Sequence, residues 1–174
     1  MAPGSQRPRV AESQSLEVTG FMTRIAVLLA TFVYVGYFPI APGTAGSIAG
    51  LAVYAVFRAA GVLPWFDAAA ILALFAAGTW AASVAERHFE REDPGPVVVD
   101  EVMGMLVSLA FVHVGVGGAL AGFLLFRFFD IVKPWPARRL ETLPRGLGVM
   151  SDDVMAGIYA NLALRFVLMV VPDM

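Results

Sequence analysis

The sequence contains no cysteine and only two histidines, His88 and His113. The lack of cysteine excludes disulfides, thiolate metal sites and phosphatase chemistry based on a cysteine nucleophile. His88 lies in a charged run and His113 in an apolar one, and we interpret both as structural or surface residues. Any phosphoryl chemistry in this chain would therefore depend on carboxylates, cations and a metal ion.

Charged side chains are also scarce, at 15% of the 174 residues, and the net charge is -2. Because there is no basic excess to neutralise a phosphate backbone, we exclude nucleic acid as a partner. Hydrophobic residues make up 59% of the chain, and the mean hydropathy is +0.75. This composition is too apolar for an ordinary soluble domain and favours a polytopic protein in a lipid bilayer.

The apolar runs predict an all-α membrane bundle over residues 21–174, preceded by a polar, disordered tail over residues 1–20. Ile25–Ile40 is short for a span and ends in glycine and prolines, so we expect a re-entrant or interfacial first helix there. About five spans follow, namely Ile48–Val62, Phe66–Ala85, Val102–Val116, Gly118–Val132 and Val154–Val171. Gly104 would allow a neighbouring helix to approach closely.

The segment over residues 126–136 reads Phe-Arg-Phe-Phe-Asp-Ile-Val-Lys-Pro-Trp-Pro and carries the central motif of the chain. Arg127, Asp130 and Lys133 recur every three residues, so a helix would place them on one face. Two cations and one carboxylate suit a phosphate and a divalent metal together. The two prolines that follow should end the helix.

Two acidic pairs, Asp100-Glu101 and Asp152-Asp153, lie at the edges of apolar segments. Carboxylates are hard oxygen ligands that match Mg²⁺, and this ion can polarise a phosphoryl group and lower the pKa of a bound water. Acidic residues are also common at helix starts, because the helix dipole favours them there. The pairs therefore predict either metal ligands or simple helix-start charges.

The segment Pro42-Gly-Thr-Ala-Gly-Ser47 predicts a glycine-containing loop. Ser47 precedes an apolar run, so it could cap the next helix and leave free amide groups facing an anion, with the Thr44 hydroxyl nearby. The alternative is a plain turn at a helix start.

Counting membrane crossings from this loop places every polar motif on one face of the bilayer. That face also carries most of the cations, namely Arg87, Arg91, Lys133, Arg138, Arg139 and Arg145. An excess of cations marks the cytoplasmic side. A first helix that crossed fully would put Arg7 and Arg9 outside, and a re-entrant or interfacial helix removes that conflict.

Four segments together resemble the phosphatidylglycerophosphatase A family, over about Phe38 to Asn161. They are Pro42-Gly-Thr-Ala-Gly-Ser47, Asp100-Glu-Val-Met-Gly-Met105, the segment 126–136, and Gly148-Val-Met-Ser-Asp-Asp-Val-Met-Ala-Gly157. The resemblance implies Mg²⁺-dependent removal of the terminal phosphate of phosphatidylglycerophosphate at the bacterial inner membrane. The products would be phosphatidylglycerol and inorganic phosphate.

The resemblance also implies roles for individual residues. Asp100, Glu101, Asp130, Asp152 and Asp153 would be the metal and acid-base residues. Arg127 and Lys133 would contact phosphate, and Thr44 and Ser47 lie in the matching substrate loop. The chain departs from the family in its longer polar tail and in Arg145-Gly-Leu-Gly, neither of which alters the acidic residues.

Several alternatives stay open at this point. Water could attack phosphorus directly with one of the five carboxylates as general base, or an aspartyl-phosphate could form. The substrate could be another phosphorylated lipid or a small molecule. An ion-coupled transporter or a scaffold is also possible, although carboxylates at helix ends suit an interfacial active site better than an ion path through mid-membrane. The oligomeric state, the number of metal ions and the roles of Asn161 and Arg165 are not determined.

Overall fold

The computed structural model describes residues 10–62 and 64–171. Within these residues the chain forms seven α-helices, one short 3-10 turn and no strand, which confirms the predicted all-α class. The helices are α1 (Val10–Ala30), α2 (Pro42–Ala59), α3 (Pro64–Phe89), α4 (Val99–Leu109), α5 (Val116–Val132), α6 (Ala137–Leu140) and α7 (Gly146–Val170), and the 3-10 turn is Val35–Tyr37.

Helix α4 is the centre of the molecule, because every residue in it except Glu101 is buried. It packs against α2, α3, α5 and α7. Met103 joins a core cluster with α1 and α3, whereas Met105 and Leu109 join a second cluster with α2, α5 and α7. At 1.5 Å per residue α4 is roughly 16 Å long, which is about half of a hydrocarbon core. Its last residue, Leu109, is buried, and the predicted span over Val102–Val116 is wrong after that residue, since α5 begins only at Val116.

Two glycines let α4 and α7 cross at close range. A Cβ atom added to Gly104 would collide with the Phe126 ring of α5 and would lie 2.9 Å from the Asp153 carbonyl oxygen of α7. A Cβ atom on Gly157 would lie 2.5 Å from the Gly104 carbonyl oxygen. The predicted close approach at Gly104 is therefore present, and it brings the beginnings of α4 and α7 together.

The first helix differs from the prediction in its position. Helix α1 ends at Ala30, so the predicted helix over Ile25–Ile40 is wrong in its second half. There Phe32–Tyr34 adopt positive φ angles and the chain reverses direction. The Val98 amide donates to the Ala30 carbonyl at 2.9 Å, and this hydrogen bond holds the end of α1 against the start of α4.

The structure also places residues 10–20 of the predicted disordered tail in α1. No proline or glycine interrupts residues 10–19, and several good helix formers lie among them. Residues 1–9 of the tail lie outside the described residues. The predicted boundary between tail and domain stays a prediction.

Two of the described helices are long and apolar enough to cross a membrane, namely Trp65–Phe89 and Gly146–Val170. Less than a third of each apolar window is buried inside the protein, at 22% and 28%. The outer faces carry large exposed apolar side chains, including Leu72, Leu124, Phe128, Ile131, Leu162, Phe166 and Met169. The predicted number of about five spans stays a prediction.

Candidate active site

The five predicted acidic residues line one cavity of about 320 Å³. Asp100 and Glu101 come from the first turn of α4. Asp130 comes from the last turn of α5, and Asp152 and Asp153 come from the second turn of α7. The structure thus brings these separate segments to one place, while the catalytic roles of the residues stay predictions.

The cavity has a buried floor and an exposed rim, and its walls are strongly acidic. Among the described residues its lining is Glu86, Glu92, Asp93, Asp100, Glu101, Asp130, Lys133, Glu141, Thr142, Leu143, Pro144, Arg145, Val149, Asp152 and Asp153. Nine of these are carboxylates and two are cations. An anion that entered would be repelled by this excess of negative charge, so a phosphate-bearing substrate requires additional cations.

Asp100, Glu101 and Asp153 form a set that fits a metal ion. One carboxylate oxygen from each lies within 4.8 Å of the others. Asp100 is 7% exposed and Asp153 is 3% exposed, and each of the three residues has a buried carboxylate oxygen without a hydrogen-bond partner. Burying such oxygens without partners is costly, and a divalent cation with oxygen preference would satisfy them. The residues present therefore fit Mg²⁺.

The electrostatics of this trio favour a bound cation as well. Burial raises the pKa of Asp100, and the negative charges of Glu101 and Asp153 raise it further. Burial likewise raises the pKa of Glu101, although a hydrogen bond with Asp100 and the charge of Arg127 act in the opposite direction. A divalent ion among these groups would reverse the effect of their mutual repulsion and favour the ionised carboxylates.

The other two acidic residues already have cationic partners. Arg127 Nη1 donates to Asp130 Oδ2 at 2.6 Å, and Lys133 Nζ donates to Asp152 Oδ2 at 2.6 Å. Lys133 also lies 3.3 Å from Glu141 Oε1. The five carboxylates are thus divided into three without a cationic partner and two that are ion-paired.

Lys133 does not share a helical face with Arg127 and Asp130, so that part of the prediction is wrong. Helix α5 ends at Val132, and Lys133 follows it in the left-handed region at φ 45°. This backbone reversal directs the ammonium group toward α7. Burial lowers the pKa of Lys133, but the hydrogen bond and charge of Asp152 outweigh that effect, so the pKa is raised overall and the side chain stays protonated.

The predicted loop from Pro42 to Ser47 is also wrong, because these residues form the beginning of α2. Proline suits the first position of a helix, where its missing amide hydrogen is not needed. Ser47 therefore cannot cap the helix. It is fully buried, its hydroxyl donates to the Gly43 carbonyl at 2.9 Å, and Arg127 Nη1 donates to it at 3.4 Å.

Neither Thr44 nor Ser47 is among the cavity-lining residues. The start of α2 instead supports the site from behind: a Cβ atom on Gly43 would lie 3.3 Å from Arg127 Nη1 and would collide with the Glu101 carboxylate. The roles of Thr44 and Ser47 in substrate binding stay predictions.

Sequence reasoning missed part of the cavity wall. Glu86, Glu92 and Asp93 line the cavity, although in the sequence they form only a charged run without a motif; their position before Pro94 is the one signal of a turn that folds back. Glu141 follows the short α6 and carries no recognisable motif. It lines the cavity because α6 packs against α7.

Asn161 and Arg165 now have a structural role at the other end of α4. The Asn161 side-chain amide donates to the carbonyls of Val107, Ser108 and Ala110 at 3.2, 3.0 and 3.0 Å. Arg165 Nε donates to Asn161 Oδ1 at 2.8 Å. The last carbonyls of a helix have no intrahelical donors, and these two side chains supply them.

Comparison with known proteins gives a consistent result. Residues 28–168 match the profile of a family described as phosphatidylglycerophosphatase A. A Bacteroides thetaiotaomicron protein is 41% identical over 143 residues, covering 78% of this chain and 89% of that protein; its name, phosphatidylinositol-3-phosphatase, is a provisional one. Two proteins named phosphatidylglycerophosphatase A also match. The Haemophilus influenzae protein is 38% identical over 123 residues, covering 69% of this chain and 74% of its own length. The Escherichia coli protein is 32% identical over 135 residues, covering 76% and 77%. No solved structure matches the chain significantly.

Proposed function

Because the chain belongs to the phosphatidylglycerophosphatase A family and is a phosphatase, we propose that its substrate is phosphatidylglycerophosphate. Hydrolysis of the terminal phosphate would give phosphatidylglycerol and inorganic phosphate. The observation that carries this proposal is the cavity in which Asp100, Glu101 and Asp153, each with one buried oxygen that has no hydrogen-bond partner, lie beside the ion-paired Asp130 and Asp152. Such a site has the ligands for a metal and the cations for a phosphate.

The cofactor in this proposal is Mg²⁺, held by Asp100, Glu101 and Asp153. When bound, the ion would polarise the phosphoryl group and offset the negative charge of the cavity. Lys133 lines the same cavity and is positioned by Asp152 to hold a phosphate oxygen. Arg127 is not among the cavity-lining residues, and its predicted contact with phosphate stays a prediction. Its hydrogen bonds position Asp130 and connect α5 to Ser47 of α2.

Asp152 is the proposed general base. Its Oδ2 atom accepts a hydrogen bond from Lys133, which orients the carboxylate, and its Oδ1 atom is buried without a partner. In the proposed reaction a water oxygen forms a bond to phosphorus as the ester bond breaks. Asp152 Oδ1 takes one proton from the water and later releases it to solvent, and the departing alkoxide oxygen takes a proton from solvent to become the alcohol.

The Asp152→Asn substitution tests this role. It keeps the shape of the side chain but removes the base, so kcat should fall by about 10²–10⁴-fold while Mg²⁺ affinity stays near that of the wild type. Steady-state kinetics and calorimetric titration with Mg²⁺ would measure the two quantities. An unchanged kcat would exclude Asp152 as the base.

We place the protein in the bacterial inner membrane, with several spans and with the cavity facing the cytoplasm. Two observations support this location: the apolar exposed faces of α3 and α7, and Trp135 beside the cavity-lining Lys133, with 77% of its surface exposed. Tryptophan is enriched at membrane interfaces, and cations such as Arg138 and Arg139 favour the cytoplasmic side.

The direct test is phosphate release by the purified protein in mixed micelles, with Mg²⁺ and with a chelator. Phosphatidylglycerophosphate should be hydrolysed only with Mg²⁺, and faster than phosphatidic or lysophosphatidic acid. Phosphatidylinositol 3-phosphate belongs in the same panel because the relative at 41% identity carries that substrate in its name. Faster hydrolysis of the phosphoinositide would replace the proposed substrate, and hydrolysis that is insensitive to the chelator would contradict the Mg²⁺ assignment.

A further inference from the structure

One cation of the cavity lining has no ion-pair partner among the described residues, although its charge acts on the carboxylate of Glu86. Lys133 is bound to Asp152 and Glu141, and Arg127 is bound to Asp130. Arg145 lines the cavity and forms no ion pair with any described residue. Because it is exposed, it lies at the rim and not on the buried floor.

The backbone holds Arg145 in a fixed place. The next residue, Gly146, is pressed against α3: a Cβ atom on it would lie 2.5 Å from the Thr79 carbonyl oxygen, and its amide donates to Ser83 Oγ at 3.2 Å. Arg145 itself has φ 56° and ψ -153°, a combination in which glycine is normally found. The packing of Gly146 therefore imposes a conformation that costs free energy for arginine, and the side chain starts from a constrained position.

The substrate of the proposed function has a second anion that this cation fits. Phosphatidylglycerophosphate carries a terminal phosphomonoester, which reacts, and a phosphodiester, which joins the glycerol headgroup to the lipid. With the monoester at the buried carboxylates, the diester lies nearer the lipid and thus nearer the rim. A guanidinium group presents paired N–H donors that match two phosphate oxygens.

We infer that Arg145 binds the phosphodiester of the substrate and so determines specificity for lipids with two phosphates over lipids with a single monoester. This inference rests on the proposed function. It assigns to Arg145 a contact with the part of the substrate that does not react. Its loss should therefore weaken binding of the diester without slowing the chemical step.

Arg145→Gly and Arg145→Gln in the full chain test the inference. Both should raise KM for phosphatidylglycerophosphate by about 10- to 100-fold, the effect of one charge-assisted hydrogen-bonding contact, with kcat changed little. They should raise the inhibition constant of the product phosphatidylglycerol similarly and leave that of inorganic phosphate unchanged. Arg138→Gln is the matched control, since Arg138 is an exposed cation on α6 outside the cavity lining.

Arg145→Gly should also melt at the same temperature as the wild type or higher, because glycine accepts this backbone conformation without strain. If Arg145→Gly does not fold, the KM and the inhibition constants of Arg145→Gln test the inference instead. Unchanged KM and inhibition constants would overturn the inference. An equal loss of affinity for phosphatidylglycerol and for inorganic phosphate would also overturn it, because that result would place Arg145 at the reacting phosphate. Failure of the wild type to hydrolyse phosphatidylglycerophosphate would instead overturn the proposed function.

Discussion

At the scale of single residues, the division of the five carboxylates explains how one acidic cavity can serve two purposes. Asp130 and Asp152 each form an ion pair with a cationic side chain through one carboxylate oxygen. Asp100, Glu101 and Asp153 have no such partner and keep buried oxygens free. A metal ion can then bind to the free carboxylate oxygens, and a phosphate can bind beside it to a cationic side chain.

This division makes different predictions for two otherwise similar substitutions. Asp153→Asn removes a metal-facing oxygen and should weaken Mg²⁺ binding by at least about 10- to 100-fold, with loss of activity. Asp130→Asn should reduce activity through Arg127, and because the Asp130 side chain also hydrogen-bonds Asp153, it should lower Mg²⁺ affinity, but by less than Asp153→Asn does. Mn²⁺ binding followed by electron paramagnetic resonance would measure both variants. Equal metal affinity in the two variants would show that the division is wrong.

At the scale of helices, α4 connects the cavity to the far side of the molecule. Its first turn carries Asp100 and Glu101, and its last carbonyls are bound by the side chain of Asn161. A helix that ends inside an apolar interior needs such donors, because water is not available to its final carbonyl groups. Asn161 and Arg165 of α7 therefore stabilise the end of α4.

The Asn161→Leu substitution should expose that dependence. It replaces the amide by an apolar group of similar size and leaves the Ser108 carbonyl without its donor, at a cost of about 1–3 kcal/mol in the free energy of unfolding. Thermal unfolding in detergent would show a lower midpoint. Leu162→Ala is the control on the same helix, since Leu162 is exposed. If the unfolding midpoint of Asn161→Leu equals that of this control, Asn161 does not have the proposed role.

The crossing of α4 and α7 makes a second prediction at this scale. Gly104→Ala would place a methyl group against the Phe126 ring and 2.9 Å from the Asp153 carbonyl oxygen, so α4 and α7 must separate. Overpacking of this kind costs about 1–3 kcal/mol, and the movement of Asp153 should also weaken metal binding. Gly95→Ala serves as the control because nothing lies within 4 Å of its added Cβ atom. A Gly104→Ala variant with wild-type stability and metal affinity would contradict this account.

Some of these elements could be predicted from the sequence, and others depend on contacts that the sequence does not display. Long apolar runs predict α3 and α7, although α7 begins at Gly146 and not at Val154. The count of membrane crossings predicts that Asp100 and Asp153 lie on the same face. The start of a helix at Pro42 is not evident from the sequence, because glycines are typical of loops. In the structure these glycines have no side chains to separate α2 from α4, so the two helices pack closely. The position of Lys133 depends on one left-handed residue, and that of Glu141 on α6 packing against α7.

At the scale of the whole molecule, the site combines an acidic interior with an apolar exterior. Nine carboxylates and two cations line the cavity within the described part of the chain, while large apolar side chains cover the outer faces of α3, α5 and α7. Such a molecule can lie in a bilayer and admit a phosphorylated headgroup only if divalent cations offset the charge of the cavity. A metal ion at Asp100, Glu101 and Asp153 is therefore the feature on which the proposed reaction depends most.

Anomalous scattering from crystals grown with Mn²⁺ tests for this ion most directly. We expect an anomalous peak between carboxylate oxygens of Asp100, Glu101 and Asp153, and we expect this peak to be lost in crystals of Asp153→Asn. A wild-type enzyme that hydrolyses its substrate while no peak lies among these three side chains would contradict this metal site.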